Sequence, residues 1–402
     1  MLSRTPDALF AVVLATVTLI SPLAVHLFLP IMPAVKTAFV VSDAAAEASF
    51  SVTLATMAFA TLVYGSLSDR YGRRPVLLAG LALFLVGSLA SALAGSIPLL
   101  ILGRLVQAAG AGSAITLTRA IARDAYGADR LVKAIAYLTM AYTIGPMISP
   151  PLGGLLLDHF GWRSVFWFAL IVGACVTIGC ALVLYETRPG DPGRRHTHIL
   201  RDYAMLMGQA RFAAFVLQSG FCSGTFFTMA AASPFLMKEQ LGRSATEYGL
   251  YFFAFPAGYC IANWLASHWS TRVSIERMVL AGAVLNILSA AVQAAIVLAG
   301  YLSPLVIFVP GFFVTFAQGL ALPNAQAGAM QVAPRLAGTA AGLGVFTQML
   351  AAAVFAQLYG LLADGTAVPM IGIAMLAALL SLAAGIVPLY APAPVVRPGA
   401  TI

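Results

Sequence analysis

Charge is what this sequence has least of. Asp, Glu, Lys and Arg together make up 9% of its 402 residues, against 61% hydrophobic residues. A soluble domain carries about 25% charged residues. The chain therefore lacks the polar groups needed to coat a water-facing surface, and lipid is the solvent its composition implies. Acids are scarcer than bases, 14 against 22, giving a net charge of +8. The bases form no Lys/Arg-rich block and no interleaving with aromatics, which argues against nucleic acid as a partner. Only four cysteines occur, Cys175, Cys180, Cys222 and Cys260. All sit in apolar segments without metal-ligand or redox spacing, so they are expected to be packing residues and no metal site is expected. No GxxxxGK[ST] run is present and the loops are short, which excludes an ATP-driven pump with its own nucleotide-binding domain. No set of His and acids faces one another at mid-depth, so an enzyme is not expected.

What the chain has in abundance is long apolar runs. Crossing about 30 Å of hydrocarbon takes about 20 residues, and twelve such runs centre near positions 19, 58, 86, 109, 146, 174, 222, 257, 287, 314, 350 and 379. The first, 8–29, is too long for a signal-peptide core and is read as a retained span. With the N-terminus placed inside, nearly all of the 22 Lys and Arg fall on the same side; the opposite side takes only Lys36, Arg163, Lys238 and Arg243, with Arg104 inside a span. Both termini are therefore expected in the cytoplasm. The longest polar interval runs from Glu186 to Arg211 and includes His196 and His198. It predicts an N-terminal six-helix bundle over 1–187, a cytoplasmic linker over 188–209 and a C-terminal six-helix bundle over 210–402. Weak internal echoes fit a duplicated unit: GSLSDRYGRR against NWLASHWSTR, and QAAGAG against QGLALP.

Three segments carry more information than hydropathy. GSLSDRYGRRP, from Gly65 to Pro75, sets Asp69 among Arg70, Arg73 and Arg74, with Gly65 and Gly72 allowing close backbone approach. RLVQAAGAG places Arg104 several residues inside an apolar span, where a charge costs about 2.5–3.5 kcal/mol on insertion scales. Arg104 should face a wet cavity or a partner, or else snorkel to the interface; Gln107, one turn away on the same face, favours the cavity. In GPMISPPLGG, Gly145, Pro146, Gly153 and Gly154 stand with Pro150 and Pro151. Residues that make such poor helix formers must serve geometry, either close packing or a bend.

These three segments resemble signatures of the major facilitator superfamily, and the third is similar to the motif of its drug antiporters. The LPIMP of Leu29 to Pro33, the RAIARD ending at Asp124 and LPNAQAGA from Leu322 narrow the resemblance to the twelve-span drug:proton antiporters of the Bcr/CflA (bicyclomycin and chloramphenicol/florfenicol resistance) branch. The resemblance implies an all-α membrane protein of the major-facilitator fold, with twelve transmembrane helices as two six-helix bundles around a central cavity. It implies a conformational latch in which Asp69 caps the start of span 11 near Gly338 and Thr339 while Arg73 pairs with Asp124. Span 5 would pack on span 8, and spans 3, 6, 9 and 12 would face lipid.

The remaining spans then line the substrate and proton path. Its candidates are Arg104 and Gln107; Tyr137, Met140 and Tyr142; Gln218, Phe221 and Phe226; Tyr251, Phe255 and Tyr259; and Gln318, Asn324 and Gln348. Aromatics and Met give adaptable apolar contact, and amides give directional bonds. In the resembled branch an acid usually precedes the LP pair; here that position is His26, and no acid is expected at the centre of any span. Imidazole titrates near 6.5 and can carry a proton at physiological pH. The plain alternative is an interfacial histidine, with Asp43, Glu47 and Asp158 as acids at the rim. The expected function is proton-coupled efflux of small amphiphilic, drug-like compounds across a bacterial inner membrane by alternating access. No cofactor is expected beyond the proton gradient, and no partner beyond substrate and bilayer; the chain is expected to act as a monomer. The alternative is export or uniport of a metabolite such as an amino acid or nucleoside.

Overall fold

The computed structural model describes residues 8–190, 199–269 and 272–391. Both chain ends and residues 191–198 of the expected 188–209 linker, Arg194, Arg195, His196 and His198 included, lie outside the described residues. Every regular element among the described residues is helical. In chain order these are α1 (Ala8–His26), α2 (Met32–Phe39), α3 (Asp43–Tyr71), α4 (Arg73–Ala92), α5 (Ile97–Phe160), α6 (Ser164–Val183), α7 (Ile199–Met207), α8 (Ala210–Phe235), α9 (Ala245–Phe252), α10 (Ala254–Trp269), α11 (Ile275–Leu298), α12 (Pro304–Val332), α13 (Ala337–Leu362) and α14 (Val368–Tyr390). A 3-10 turn, Leu29–Ile31, joins α1 to α2, and a π turn, Leu236–Gln240, follows α8.

Local chemistry explains the breaks. Pro30 and Pro33 lack the amide that would continue α1. Ser42 and Ser244 cap α3 and α9, their side chains accepting from the amides of Ala45 and Glu247. Gly72, at φ 97°, makes the turn from α3 into α4 that a side chain would strain.

Ten of the helical segments are long and apolar enough to cross a bilayer. The two other expected spans, near 146 and 257, take different forms. The first is the C-terminal part of α5, which is a single helix of 64 residues. Drawn straight it would be about 96 Å long, three bilayers' worth. Yet Arg104 near its start and Gly153 near its end both pack on the last residues of α1 and the turn after it, against Ala24 and Leu27. The helix therefore runs across and back, making two passes without a loop. The second is interrupted at Phe253, which separates α9 from α10.

Helices α1 to α6 form one group, with α1, α3, α4 and α6 gathered around α5, while α8 to α14 form a second. The principal contacts between these two groups are α3 with α13 and α5 with α9. Exposed apolar side chains such as Val86 on α4, Ile171 and Leu182 on α6, Leu288 and Val292 on α11 and Leu379 on α14 face outward, as lipid requires.

Candidate functional site

A cavity of about 260 Å³ lies between the two groups of helices. Its walls come from α1 (Thr18, His26), both passes of α5 (Thr118, Arg119, Leu138, Thr139, Tyr142, Thr143, Pro146), α8 (Ser223, Phe226, Phe227), α9 and α10 (Phe252, Phe255, Tyr259), α12 (Thr315, Gln318, Gln326) and α13 (Gln348, Met349). Its two ends differ in chemistry. At one, Phe226, Phe227, Phe252 and Phe255 pack edge to face with ring centroids 4.8–6.4 Å apart. His26 lies against Phe227 and Phe252, with Nδ1 buried and unpartnered. At the other end Arg119 and Thr139 are exposed. Arg119 is the one Arg or Lys in the lining, no Asp or Glu lines the cavity, and among the described residues no hydrogen bond or ion pair engages Arg119. An amphiphile with an apolar ring system and a polar or acidic head matches this axis.

The aromatic end is closed off by a seam between the two groups of helices. Lys36 Nζ bridges Asp43 at 2.8 Å and Glu239 at 2.9 Å. Asp158 Oδ2 accepts from the amide and the hydroxyl of Thr246 at 2.8 and 2.6 Å. Ser51 donates to Gln357 Oε1 at 2.6 Å, and Gln357 donates back to the Ala44 carbonyl at 3.2 Å. Two glycines permit the approach: a Cβ on Gly154 would stand 2.2 Å from the Ala245 carbonyl oxygen, and one on Gly249 would stand 2.5 Å from Pro151 Cα. A larger hollow of about 490 Å³, walled by Lys238, Glu239, Asp158 and Arg243, lies beyond this seam and does not reach the aromatic rings of the cavity. Among the described residues, every hydrogen bond and ion pair between the two groups of helices lies in the seam.

Among the described residues, the charged cluster at the opposite end stays within the first group. Arg73 reaches Asp124 at 2.9 Å and Asp69 at 2.8 Å, and Arg188 stands 3.6 Å from Asp69. Among the described residues, the ion pairs of Asp69 that are seen run to Arg73 and Arg188 rather than across to Gly338 and Thr339, because this end of the molecule is parted. Gly72 makes its turn here, whereas a Cβ on Gly65 would meet open space, so Gly65 serves no close approach in this state. Glu186, which sequence reasoning missed, accepts from the amides of Arg73 and Arg74 at 3.0 and 3.1 Å and so caps the start of α4.

Of the expected pathway residues, the cavity brings together His26, Tyr142, Phe226, Phe255, Tyr259, Gln318 and Gln348; Gln348 Nε2 is unpartnered. Arg104 and Gln107 are placed elsewhere, each 1% exposed. Helix α1 stops at His26, leaving carbonyls of its last turn without amide donors. Arg104 takes up the Ala24 carbonyl at 2.9 Å, the Ser49 carbonyl at 3.3 Å and Gln107 Oε1 at 2.6 Å, and lies 4.3 Å over the Phe28 ring. Gln107 passes the chain of bonds on to Ser88 at 2.8 Å. Arg104 has the partner that its burial demands and does not face the cavity. Tyr137 and Met140 point away from the cavity and are exposed, because they lie on the face of α5 opposite Leu138, Thr139 and Tyr142. Gln218 bonds to Ser381, Phe221 packs on Phe355, Tyr251 stacks on Phe308, and Asn324 donates to the Leu320 carbonyl, all outside the cavity lining. Gly145 and Gly153 approach Pro22 and the Leu27 carbonyl, so the GPMISPPLGG segment packs on both α1 and α9. No group of three or more His, Cys, Asp or Glu among the described residues could hold a metal ion.

Membrane-length helices around a cavity that is sealed at one end define a multi-pass membrane transporter. The chain belongs to the major facilitator superfamily, whose profile matches residues 14–356. It is 29% identical over 344 residues to multidrug resistance protein D of Escherichia coli K12, an alignment covering 85% of this chain and 86% of the relative. It is 32% identical over 230 residues to multidrug resistance protein MdtL of E. coli O81, covering 57% of this chain and 58% of that one. Its fold is similar to that of a D-xylose-proton symporter, with a TM-score of 0.78 at 15% identity over 97% of this chain and 99% of the other. It is similar also to a POT family transporter solved with 5-aminolevulinic acid, with a TM-score of 0.76 at 14% identity over 96% and 97% of the two chains.

Proposed function

We propose that this transporter exports small amphiphilic, drug-like compounds in exchange for protons. The observation that carries the reading is the one-sided seam. Contacts between the two groups of helices close one end of the cavity while the other end remains accessible, which is one half of an alternating-access cycle. In that cycle the N-terminal bundle, 1–187, rocks against the C-terminal bundle, 210–402, about the cavity. The kinship with multidrug resistance proteins and the aromatic and amide walls of the cavity support the cargo class. His26, at the aromatic end with a free Nδ1, is a proton carrier in this scheme. One proton crossing about 150 mV supplies about 3.5 kcal/mol, enough for a few-hundred-fold gradient of a neutral compound. The proton gradient takes the place of any cofactor, and the protein works as a monomer in a bacterial inner membrane with both termini inside, as the Lys/Arg asymmetry implies.

A second reading is export or uniport of an acidic metabolite. It is favoured by one observation, the lone Arg119 in a cavity lined by no carboxylate. A drug-susceptibility panel in an efflux-deficient host, with and without an uncoupler, separates the two. Protection that the uncoupler abolishes is expected, reduced in Arg119→Ala for acidic compounds. Protection against no compound overturns the drug reading in favour of the metabolite.

A further inference from the structure

The seam holds one carboxyl for which the hydrogen bonding makes no provision. Glu47, in the second turn of α3, is 0% exposed, and neither of its oxygens meets a donor. It is pressed against the second group of helices: a Cβ on Gly360 of α13 would stand 2.5 Å from Glu47 Cβ and 3.3 Å from Ala44 Cα. Only a glycine lets α13 close over this side chain.

The charged and titratable groups around Glu47 offer it no counter-charge. Asp43 stands one turn before it on α3, Tyr359 faces it from α13 and Tyr248 from α9, with Glu239 and Asp364 beyond Tyr359. Lys36 on α2 is the nearby cation, and its ammonium is held between Asp43 and Glu239. Arg104 reaches α3 at the Ser49 carbonyl, and its guanidinium is taken up by Ala24 and Gln107. On α1, His26 faces the phenylalanine cluster instead. An ionised carboxylate without donor or cation is not tolerated in such a dry seam, and the negative charge of Asp43 adds to its cost. A protonated carboxyl is tolerated. Once the seam parts, water reaches Glu47 and it ionises as a hydrated glutamate does.

We propose that Glu47 is a proton-binding site whose occupancy locks the seam: the aromatic end of the cavity seals only with Glu47 protonated and opens as the proton leaves. On closing, a proton moves from water to a carboxylate oxygen and forms an O–H bond; on opening it returns to water. The inference rests on the transporter reading and places a proton site outside the cavity, on a residue distinct from His26. One-proton linkage makes the sealed-to-open ratio fall about tenfold for each pH unit above the range in which a hydrated glutamate titrates.

The test uses the full chain in lipid nanodiscs, with Cys175, Cys180, Cys222 and Cys260 replaced by Ala and spin labels on Val40→Cys and Tyr301→Cys. Both labelled positions are exposed and belong to opposite groups of helices. Pulsed dipolar distances are read from about pH 5 to about pH 9, a window spanning the ordinary Glu and His ranges. The intact seam residue should give a shift from a short to a long distance with rising pH, and Glu47→Gln, an isostere of the protonated form, should stay short throughout. A distance independent of pH in the Glu47 protein overturns the proposal, whether or not the Gln variant folds. So does a Glu47→Gln profile that follows the parent, or a transition that survives in Glu47→Gln and vanishes in His26→Ala. These distances need no substrate, so failure of the susceptibility panel would sink the drug-efflux reading and leave this measurement able to decide on the lock.

Discussion

Gly154→Ala adds a single methyl group at the tightest point of the seam, and its consequence can be worked out in advance. The new Cβ would stand 2.2 Å from the Ala245 oxygen, 2.6 Å from its carbonyl carbon and 2.8 Å from Thr246 Cα. All three are backbone atoms, so no rotamer change can relieve the clash, and the start of α9 must retreat by about 1 Å to regain ordinary contact. Overpacking of this kind costs about 1–3 kcal/mol. Replacing a helical glycine by alanine returns about 0.5–1 kcal/mol, and does so in both the sealed and the parted state. The gain cancels between the two states, so the penalty falls on the sealed state alone, and about 1–3 kcal/mol shifts its population about 5- to 160-fold. The amide of Thr246 reports the shift, because it donates to Asp158 across the seam. Its hydrogen exchange should accelerate by that factor, while amides in the α8 core keep their protection. Parental exchange at Thr246, or equal loss of protection throughout the bundle, would refute the claim that this contact governs the seam.

Arg104→Met should destabilise the protein by about 2–4 kcal/mol in thermal or denaturant unfolding, since it orphans the Ala24 and Ser49 carbonyls and the Gln107 amide oxygen. Unchanged stability with lost transport would instead put Arg104 in the substrate path. Arg119→Ala should weaken binding of an aromatic carboxylate about tenfold, or about 1.4 kcal/mol, while leaving its neutral amide analogue within about twofold; titration fluorimetry with the pair distinguishes charge recognition from general packing. Glu186→Gln should cost about 1 kcal/mol by weakening the cap on α4 and should speed exchange of the Arg73 and Arg74 amides, leaving that of Thr246 unaltered.

The apolar runs made the membrane helices legible, because length and hydropathy alone decide what can cross lipid. The union of two expected spans into α5 was less visible. The stretch between them carries Arg119, Arg123, Arg130 and Lys133 and so looks in sequence like a basic loop, yet Arg130, Leu131, Lys133 and Ala134 are good helix formers, and Gly127 is too weak an interruption to stop a helix whose ends are held by packing. In the cavity, residue type was legible and face was not. Tyr137, Met140 and Tyr142 were grouped by chemistry, but positions two residues apart lie on opposite sides of a helix. Counting back from Pro146 in steps of three and four gives Thr143, Tyr142, Thr139 and Leu138, the side chains that do line the cavity. For Arg104 the sequence leaves cavity and partner open and favours the cavity, because its partners are carbonyls, which every residue carries and no pattern of side chains reveals. The Pro30 and Pro33 pair that ends α1 and frees those carbonyls was the available clue. Glu47 looked like an acid at the rim because it stands only a turn from the start of α3; its burial comes from α13, more than 300 positions away in the chain.

The uninterrupted course of α5 gives the protein a lever. Its first pass bears Arg119 at the accessible mouth of the cavity, and its second bears Pro146 on the wall and Asp158 at the seam. Where a flexible loop joins two spans, tilting one leaves the other free to stay. Here no loop segment separates the two passes, so a tilt that pulls Asp158 off Thr246 also strains the turn that leads to Arg119. On the export reading, the mouth that meets cargo and the seam at the far end are thus carried by one element, and their joint movement needs no signal through the space between them.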